Sequence, residues 1–231
     1  KFLVAKQDWN AASAKFIQKK IINKTNNKKR LILTGGETVK PIYKYIDEKK
    51  IMNLNNLQIF LSDERCVPNN HNDSNYKNII SHLFKNKDDG KRILSQIHTD
   101  SVDKHNEAKR YAKLLSDKID LILLSLGSDS HIASLFPGDE LIMKKKSHFV
   151  FNEKQKRFTI THKVLQNTII KIIIVSGKNK GYAFESCYNN NKNYIDYPGS
   201  FLLNDAFWLF DMQAAEVIHK EIKKKLNFKF L

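Results

Sequence analysis

A histidine and an aspartate lie two residues apart at a position where an enzyme could use them. Asp129 and His131 follow the stretch Leu121–Leu126, which is apolar except for Ser125, and the glycine that ends it, Gly127. A free imidazole has a pKa of about 6.5, so it can accept a proton from water near neutral pH. The pair fits a general base and a carboxylate that orients it. The simpler alternative is that His131 only caps the turn that follows.

The run before this pair predicts the element that would position it. The almost continuous apolar residues of Leu121–Leu126 are typical of a parallel strand buried on both faces. Open α/β sheets bind ligands in the crevice beyond the carboxyl ends of such strands. We expect Ile132–Phe136 to form a short helix that ends before Pro137. The first amides of that helix could stabilise an oxyanion.

A glycine turn earlier in the chain could bind an anion. Arg30–Thr34 has the pattern of a buried strand, and Pro41 lies in the first turn of the helix after it. Glycines let the backbone approach an anion, and a helix start presents free amides. The turn matches neither a Walker A loop nor a dinucleotide fingerprint, so an ordinary tight turn is the alternative. The candidate phosphate contacts are the amides of Gly35, Gly36 and Glu37 and the hydroxyl of Thr38.

Three charged residues stand at the end of the next predicted strand. The stretch Leu57–Ser62 leads directly into Asp63, Glu64 and Arg65. A guanidinium can hold phosphate or carboxylate through two parallel hydrogen bonds. We therefore assign Arg65, with Asp63 beside it, to substrate binding, although charges at a strand exit can also be ordinary loop polarity.

Two more basic residues occupy comparable positions later in the chain. Arg157 begins the alternating stretch 157–161, which predicts a half-buried strand. Lys180 follows the buried strand predicted at Ile169–Val175 and a second glycine turn. Both are further candidates for binding an anionic substrate.

The net charge raises a different possibility, nucleic-acid binding. The chain has 231 residues and a formal net charge of +16. Its lysines are spread along the whole length, often beside asparagine as at 23–29, and no basic strand interleaved with aromatic residues is present. The sequence therefore predicts a solvated basic surface and no nucleic-acid partner. The positive field could still attract a small anionic substrate.

Cysteines and apolar runs bear on cofactors and location. Cys66 and Cys187 are too far apart in sequence to predict a metal motif or a disulfide framework. No apolar run approaches the ~20 residues of a membrane span. We expect a cytoplasmic protein without membrane attachment. The sequence begins at Lys1. The chain could therefore be a fragment, a processed form or one domain of a longer polypeptide.

Strand and helix patterns alternate along the chain, which predicts the fold class. Apolar faces at helical spacing predict helices near 9–21, 41–46, 76–83 and 103–115, and a terminal helix with Ile218, Ile222 and Leu226 on one face. Further strands are predicted at 92–98, 148–151 and 206–210. Residues 1–231 are therefore predicted to form a single open, Rossmann-like α/β/α domain with a mainly parallel sheet flanked by helices.

Several motifs in one order resemble the 6-phosphogluconolactonase family. They read GGETVKP at 35–41, SDERCVP at 62–68, HNDSNY at 71–76, LGSDSHIASLFPG at 126–138 and VSGKNK at 175–180. The strand at 157–161 and the residues at 197–200 and 208–215 also resemble family patterns. The resemblance covers nearly the whole chain, and the ordered set is more specific than any one motif.

The resemblance implies both a fold and an activity. It implies one open α/β/α domain that hydrolyses 6-phospho-D-glucono-1,5-lactone to 6-phospho-D-gluconate without metal or cofactor. His131 would be the base, and the glycine turn and basic residues would hold the phosphate. Some relatives are fused to glucose-6-phosphate dehydrogenase, which makes the lactone, and such a fusion is an expectation for this chain.

Three residues depart from the family pattern. Glu37 replaces a serine, and its carboxylate would repel phosphate unless it points away. Ser130 replaces a glycine, so a positive φ there would be strained. Ile132 replaces a threonine, which removes a possible hydroxyl contact.

Two other functions stay open at this point. Glucosamine-6-phosphate deaminase is a related sugar-phosphate enzyme, but it has tyrosine after its Asp-Glu pair and an AFNEP-like segment after its histidine. Arg65 and the letters ASLFP at 133–137 favour the lactonase. A non-catalytic lactonase-like domain that docks a dehydrogenase would bind a sugar phosphate without turnover.

Overall fold

The computed structural model of the chain describes residues 1–21, 28–53, 56–84, 87–143 and 146–231, so most of the lysine-rich stretch 23–29 lies outside the described residues. The strands are β1 (Phe2–Val4), β2 (Lys29–Leu33), β3 (Leu57–Leu61), β4 (Asp63–Arg65), β5 (Ile119–Ser125), β6 (Phe149–Asn152), β7 (Arg157–Ile160), β8 (Thr168–Val175), β9 (Phe207–Phe210) and β10 (Lys229–Phe230). The helices are α1 (Trp9–Ile21), α2 (Lys40–Glu48), α3 (Asn75–Leu83), α4 (Lys87–Ile93), α5 (Lys104–Leu114), α6 (His162–Asn167), α7 (Lys178–Asn189), α8 (Met212–Val217) and α9 (Lys220–Lys225).

Seven of these strands form one sheet in the order β10-β1-β9-β8-β5-β2-β3. Every neighbouring pair in it is parallel. The predicted parallel α/β architecture is therefore confirmed. β3, the next strand in the chain, pairs with one edge of β2, and β5 pairs with the other edge. Their carboxyl ends thus form the kind of crevice in which open α/β sheets bind ligands.

Apolar runs at the centre of the sheet account for this arrangement. Leu31–Leu33, Leu121–Leu124 and Ile172–Val175 are all buried, on strands that are neighbours in the sheet. Side chains alternate between the two faces of a strand, so continuous burial requires cover on both faces. Helix α1 supplies part of this cover through Ala14 and Ile17, both buried.

A second, smaller sheet was not expected from the sequence. Strands β4, β7 and β6 pair antiparallel in that order, with Asp63 opposite Thr159 and Arg65 opposite Arg157. The predicted strand at 157–161 is confirmed at Arg157–Ile160, but it is more buried than its alternating pattern indicated. Three consecutive charged residues form β4, which is why the sequence indicated a loop there.

Two predicted elements away from the histidine loop are wrong. Residues 92–98 do not form a strand: α4 continues to Ile93, and only Leu94 makes an isolated bridge, to Ile59 of β3. The predicted terminal helix is divided into α8 and α9, because Ile218 has an extended backbone with ψ of 132°. Packing explains the interruption, since the extended backbone still leaves Ile218 buried.

Candidate active site

Four loops from neighbouring strands meet at the carboxyl edge of the parallel sheet. Strands β3, β2, β5 and β8 are consecutive in the sheet. β3 leads into β4, and β2 leads into the glycine turn 35–38. β5 leads into the histidine loop 127–137, and β8 leads into the second glycine turn 176–180. The parallel pairing therefore places the loops that carry most of the predicted site residues at one edge of the sheet, whereas Arg157 lies on β7 of the smaller sheet.

The histidine and aspartate form a hydrogen-bonded pair. His131 Nδ1 lies 2.5 Å from Asp129 Oδ1, and the same oxygen accepts the His131 amide at 3.2 Å. The hydrogen bond from His131 holds the pKa of the Asp129 carboxyl below its ordinary value. A charged carboxylate that accepts Nδ1–H leaves Nε2 as the ring's acceptor for a proton. This is the arrangement of a general base with an orienting acid.

Close packing fixes the position of the imidazole. The Gly127 amide donates to the His131 carbonyl at 2.8 Å, which closes the loop. The ring occupies the space that a side chain at Gly127 would need. On the other side, the His131 and Phe136 rings lie 4.9 Å apart between centroids. Phe136 also lines a groove of about 500 Å³ together with residues 137–141 and 151–155.

The helix predicted at Ile132–Phe136 is wrong. Ile132 makes bridges to Leu126 and Leu135, and Ala133 has a left-handed backbone with φ of +51°. The Ser134 amide, instead of facing a ligand, donates to the Thr159 hydroxyl at 3.1 Å. Tertiary pairing thus overrides the local helical pattern, and the loop offers no helix start for an oxyanion.

Asp63 ties the histidine loop to the two sheets. Its carboxylate, which is buried, accepts the Ser62 hydroxyl at 2.5 Å and the Ser134 hydroxyl at 2.9 Å. We had assigned Asp63 to substrate binding. Because each of its carboxylate oxygens already accepts a serine hydroxyl, we expect it to act by holding the loop that carries His131.

The first glycine turn opens a helix, as predicted. Residues 37–39 form one turn of 3₁₀-helix that runs directly into α2, and the first amides of such a start have no intrahelical partner. The Glu37 carboxylate is 85% exposed and forms an ion pair with Lys40. It therefore points away from the turn, which removes the expected conflict with a bound phosphate.

Lys180 links the two glycine turns across the sheet. Its ammonium donates to the Thr38 hydroxyl at 2.8 Å. Burial lowers the pKa of Lys180 from its ordinary value. A partly buried cation beside free amides is well suited to an anionic ligand.

Asp211 supports that second turn and was not identified from the sequence. Its carboxylate accepts the Ser176 hydroxyl at 2.7 Å and the Gly177 amide at 3.0 Å, and it also caps α8 through the Ala214 amide. Asp211 lies in the segment 208–215 that resembles a family pattern, but that resemblance assigned it no role.

The two predicted arginines lie side by side. Arg65 and Arg157 face each other across β4 and β7, on the same face as Asp63 and Thr159, because alternate residues of a strand share a face. That face contacts the histidine loop through Ser134. Burial, and then the charge of Arg65, lowers the pKa of Arg157. Within the described ranges neither guanidinium has a carboxylate partner, which leaves both charges available to an anion.

Glu64 is a further residue that sequence reasoning missed. Its fully buried carboxylate accepts the amides of Arg65, Asn75 and Tyr76 at 2.7–2.8 Å and the Ser74 hydroxyl at 3.0 Å. Burial raises its pKa. These bonds fix the start of α3 next to the backbone of Arg65. Glu64 therefore stabilises the position of Arg65.

Among the residues that the structure describes, no group of three or more His, Cys, Asp or Glu side chains is arranged to hold a metal ion. In the same residues, no helix has the length and apolar character needed to cross a bilayer.

The two glycines of the first turn differ in their surroundings, which yields a stability prediction. A Cβ at Gly35 would lie 2.5 Å from Asn75 Cα, whereas one at Gly36 would meet nothing closer than Ser125 Oγ at 3.8 Å. Gly35→Ala should lower the free energy of unfolding by about 1–3 kcal/mol, as overpacking typically does. Gly36→Ala should change it by less than about 0.5 kcal/mol. Equal effects in denaturant titrations would contradict this packing.

Known proteins resemble this chain over most of its length. Residues 5–208 match the family model described as glucosamine-6-phosphate isomerases/6-phosphogluconolactonase. The 6-phosphogluconolactonase of Synechocystis sp. is 28% identical over 205 residues, which cover 80% of this chain and 83% of that protein. The 6-phosphogluconolactonase of Thermotoga maritima is 30% identical over 158 residues, 65% of this chain and 70% of that protein.

A solved structure extends the likeness to three dimensions. The structure of 6-phosphogluconolactonase from Plasmodium vivax superposes with a TM-score of 0.77 at 25% identity, covering 94% of this chain and 92% of that one. With the family model matched from residue 5 to 208, the chain belongs to the family of glucosamine-6-phosphate isomerases and 6-phosphogluconolactonases.

Proposed function

We propose that this chain is a carboxylic ester hydrolase that converts 6-phospho-D-glucono-1,5-lactone to 6-phospho-D-gluconate, the second step of the oxidative pentose phosphate pathway. The observation that carries the proposal is the Asp129–His131 pair on the β5 loop, beside the glycine turn after β2 and the turn after β8, whose Lys180 donates to Thr38. A lactone with a distant phosphate needs both parts: a base for water and an anchor for the anion.

Binding would place the lactone before any bond changes. The phosphate would lie against the amides of the first glycine turn, the Thr38 hydroxyl and the Lys180 ammonium, with Arg65 and Arg157 as further cations. Holding the remote phosphate converts attack by water into a reaction of oriented groups, which can supply a large part of the rate. The carbonyl carbon would then face His131.

The chemistry needs one proton shuttle. His131 Nε2 would take a proton from water as the water oxygen bonds to the lactone carbonyl carbon. The tetrahedral intermediate would collapse by breaking the bond to the ring oxygen, and the imidazolium would return its proton to that oxygen. Asp129 stays ionised and stabilises the transient imidazolium.

Removing the base tests the reaction directly. Lactone made in place by a separate glucose-6-phosphate dehydrogenase should disappear faster with this chain than spontaneously. His131→Ala should lower kcat about 10²–10⁴-fold, the usual contribution of a positioned base, with KM little changed. His105→Ala is the matched control, since that exposed histidine pairs with Glu153. If neither chain accelerates lactone loss, the proposed activity is wrong, and ammonia release from glucosamine 6-phosphate would indicate the deaminase alternative.

Removing the buried cation tests the phosphate anchor. Lys180→Met should weaken binding of 6-phosphogluconate about tenfold or more, because a hydrogen bond to a charged group contributes about 1.5–3 kcal/mol. Since burial lowers the pKa of Lys180, wild-type binding should also weaken with rising pH sooner than an exposed lysine would allow. The exposed neighbour Lys178 supplies the control Lys178→Met. Equal binding by both variants in calorimetry would remove Lys180 from the anchor.

We also propose that glucose-6-phosphate dehydrogenase supplies the lactone in the cytoplasm. In one form of the protein, that dehydrogenase would be a domain of the same polypeptide as this chain. The chain described here has a mass of 26.9 kDa. If the native protein has a much larger mass and carries both activities in one polypeptide, the fusion is supported. A native lactonase of about 27 kDa would overturn it.

A further inference from the structure

Ser130, which separates the two catalytic candidates, has a strained backbone. Its φ is +76°, in the left-handed region. An L-residue is disfavoured there because its Cβ approaches the following carbonyl oxygen. Glycine would carry no such penalty. A serine kept in this conformation next to a proposed catalytic histidine is the kind of strain that functional sites hold.

Three hydrogen bonds hold Ser130 in place. Its amide donates to the Gly127 carbonyl at 3.1 Å, and its carbonyl accepts the Gly199 amide at 2.9 Å. Its hydroxyl donates to the Ala183 carbonyl of α7 at 3.3 Å. Only the hydroxyl bond depends on the side chain, and a glycine at this position could not make it. The side chain is also almost fully buried.

The elements that receive these bonds are themselves tightly packed. A Cβ at Gly199 would lie 2.6 Å from Leu126 Cδ1 and 3.0 Å from Cys187 Sγ. The 3₁₀ turn Pro198–Leu202 that contains Gly199 packs against α7. Ser130 is therefore hydrogen-bonded to two elements, the 3₁₀ turn Pro198–Leu202 and α7, that pack closely against each other.

We propose that the Ser130 hydroxyl is a positioning group: by bonding to the Ala183 carbonyl it fixes the backbone between Asp129 and His131 and so sets the position of the imidazole. This inference rests on the proposed function. His131 follows Ser130 directly, so a rotation at Ser130 swings the ring away from a substrate anchored on other loops. Small misplacements of this kind lower the rate without weakening the distant phosphate contacts.

Two substitutions distinguish the effect of the Ser130 hydroxyl from the effect of its left-handed backbone strain. Ser130→Gly removes both, whereas Ser130→Ala removes the hydroxyl and keeps the Cβ. Both should lower kcat about three- to tenfold, the effect of one neutral hydrogen bond, with KM within about twofold. Ser130→Ala should unfold at a lower temperature than Ser130→Gly, because only alanine retains the left-handed penalty. Ser186→Ala, which removes a hydroxyl bonded to the Tyr182 carbonyl on the same helix, should leave kcat and KM unchanged.

A second readout keeps the inference independent of turnover. Amide hydrogen exchange of the segment 127–135 should become faster in Ser130→Gly and stay unchanged in Ser186→Ala. A Ser130→Gly enzyme with wild-type kcat and wild-type exchange would overturn the positioning role, and so would a rise in KM at unchanged kcat. If the wild-type chain hydrolyses no lactone but the exchange responds as expected, the anchoring stands and the proposed function fails.

Discussion

The parallel pairing of β2 with β5 is the constraint on which the site depends. Leu31, Ile32 and Leu33 stand opposite Leu121, Ile122 and Leu123, and both strands are buried on both faces. Because the strands run in the same direction and in register, the glycine turn after β2 and the histidine loop after β5 must emerge side by side. β3 and β8 extend the same alignment outward and add the arginine and lysine positions.

The loops themselves are held by carboxylates whose oxygens accept hydrogen bonds from neighbouring groups of the chain. Asp63 accepts Ser134 from the histidine loop, Asp211 accepts the turn before α7, and Glu64 holds the start of α3 beside Arg65. Buried carboxylates require such partners, since an unpaired buried charge is costly. Two left-handed residues that are not glycine, Ser130 and Ala133, lie in the same loop. The hydrogen bonds around them offset the strain, so the position of His131 is set by its surroundings rather than by local preference.

Sequence reasoning worked where one element dominates the pattern. Apolar runs identified β5 and β8, and family motifs identified the turns that follow them. It failed where distant contacts decide the outcome: Ile132 pairs with Leu126 instead of starting a helix, and Asp63, Glu64 and Arg65 form a strand because β7 lies beside them. The orientation of Glu37 could not be predicted either, since it depends on the ion pair with Lys40. The supporting role of Asp211 could not be predicted from the motif at 208–215, since it depends on contacts with the turn before α7. The roles of the site residues in binding and catalysis stay predictions.

The structure of this chain with 6-phosphogluconate bound is the measurement that tests the account most directly. The account predicts the phosphate on the first glycine turn within hydrogen-bond distance of Lys180 Nζ, and the product carboxylate within about 2.6–3.2 Å of His131 Nε2. One ligand would then span the loops of β2, β5 and β8. A product bound in the groove lined by Phe136 and residues 151–155, with His131 out of reach, would contradict it.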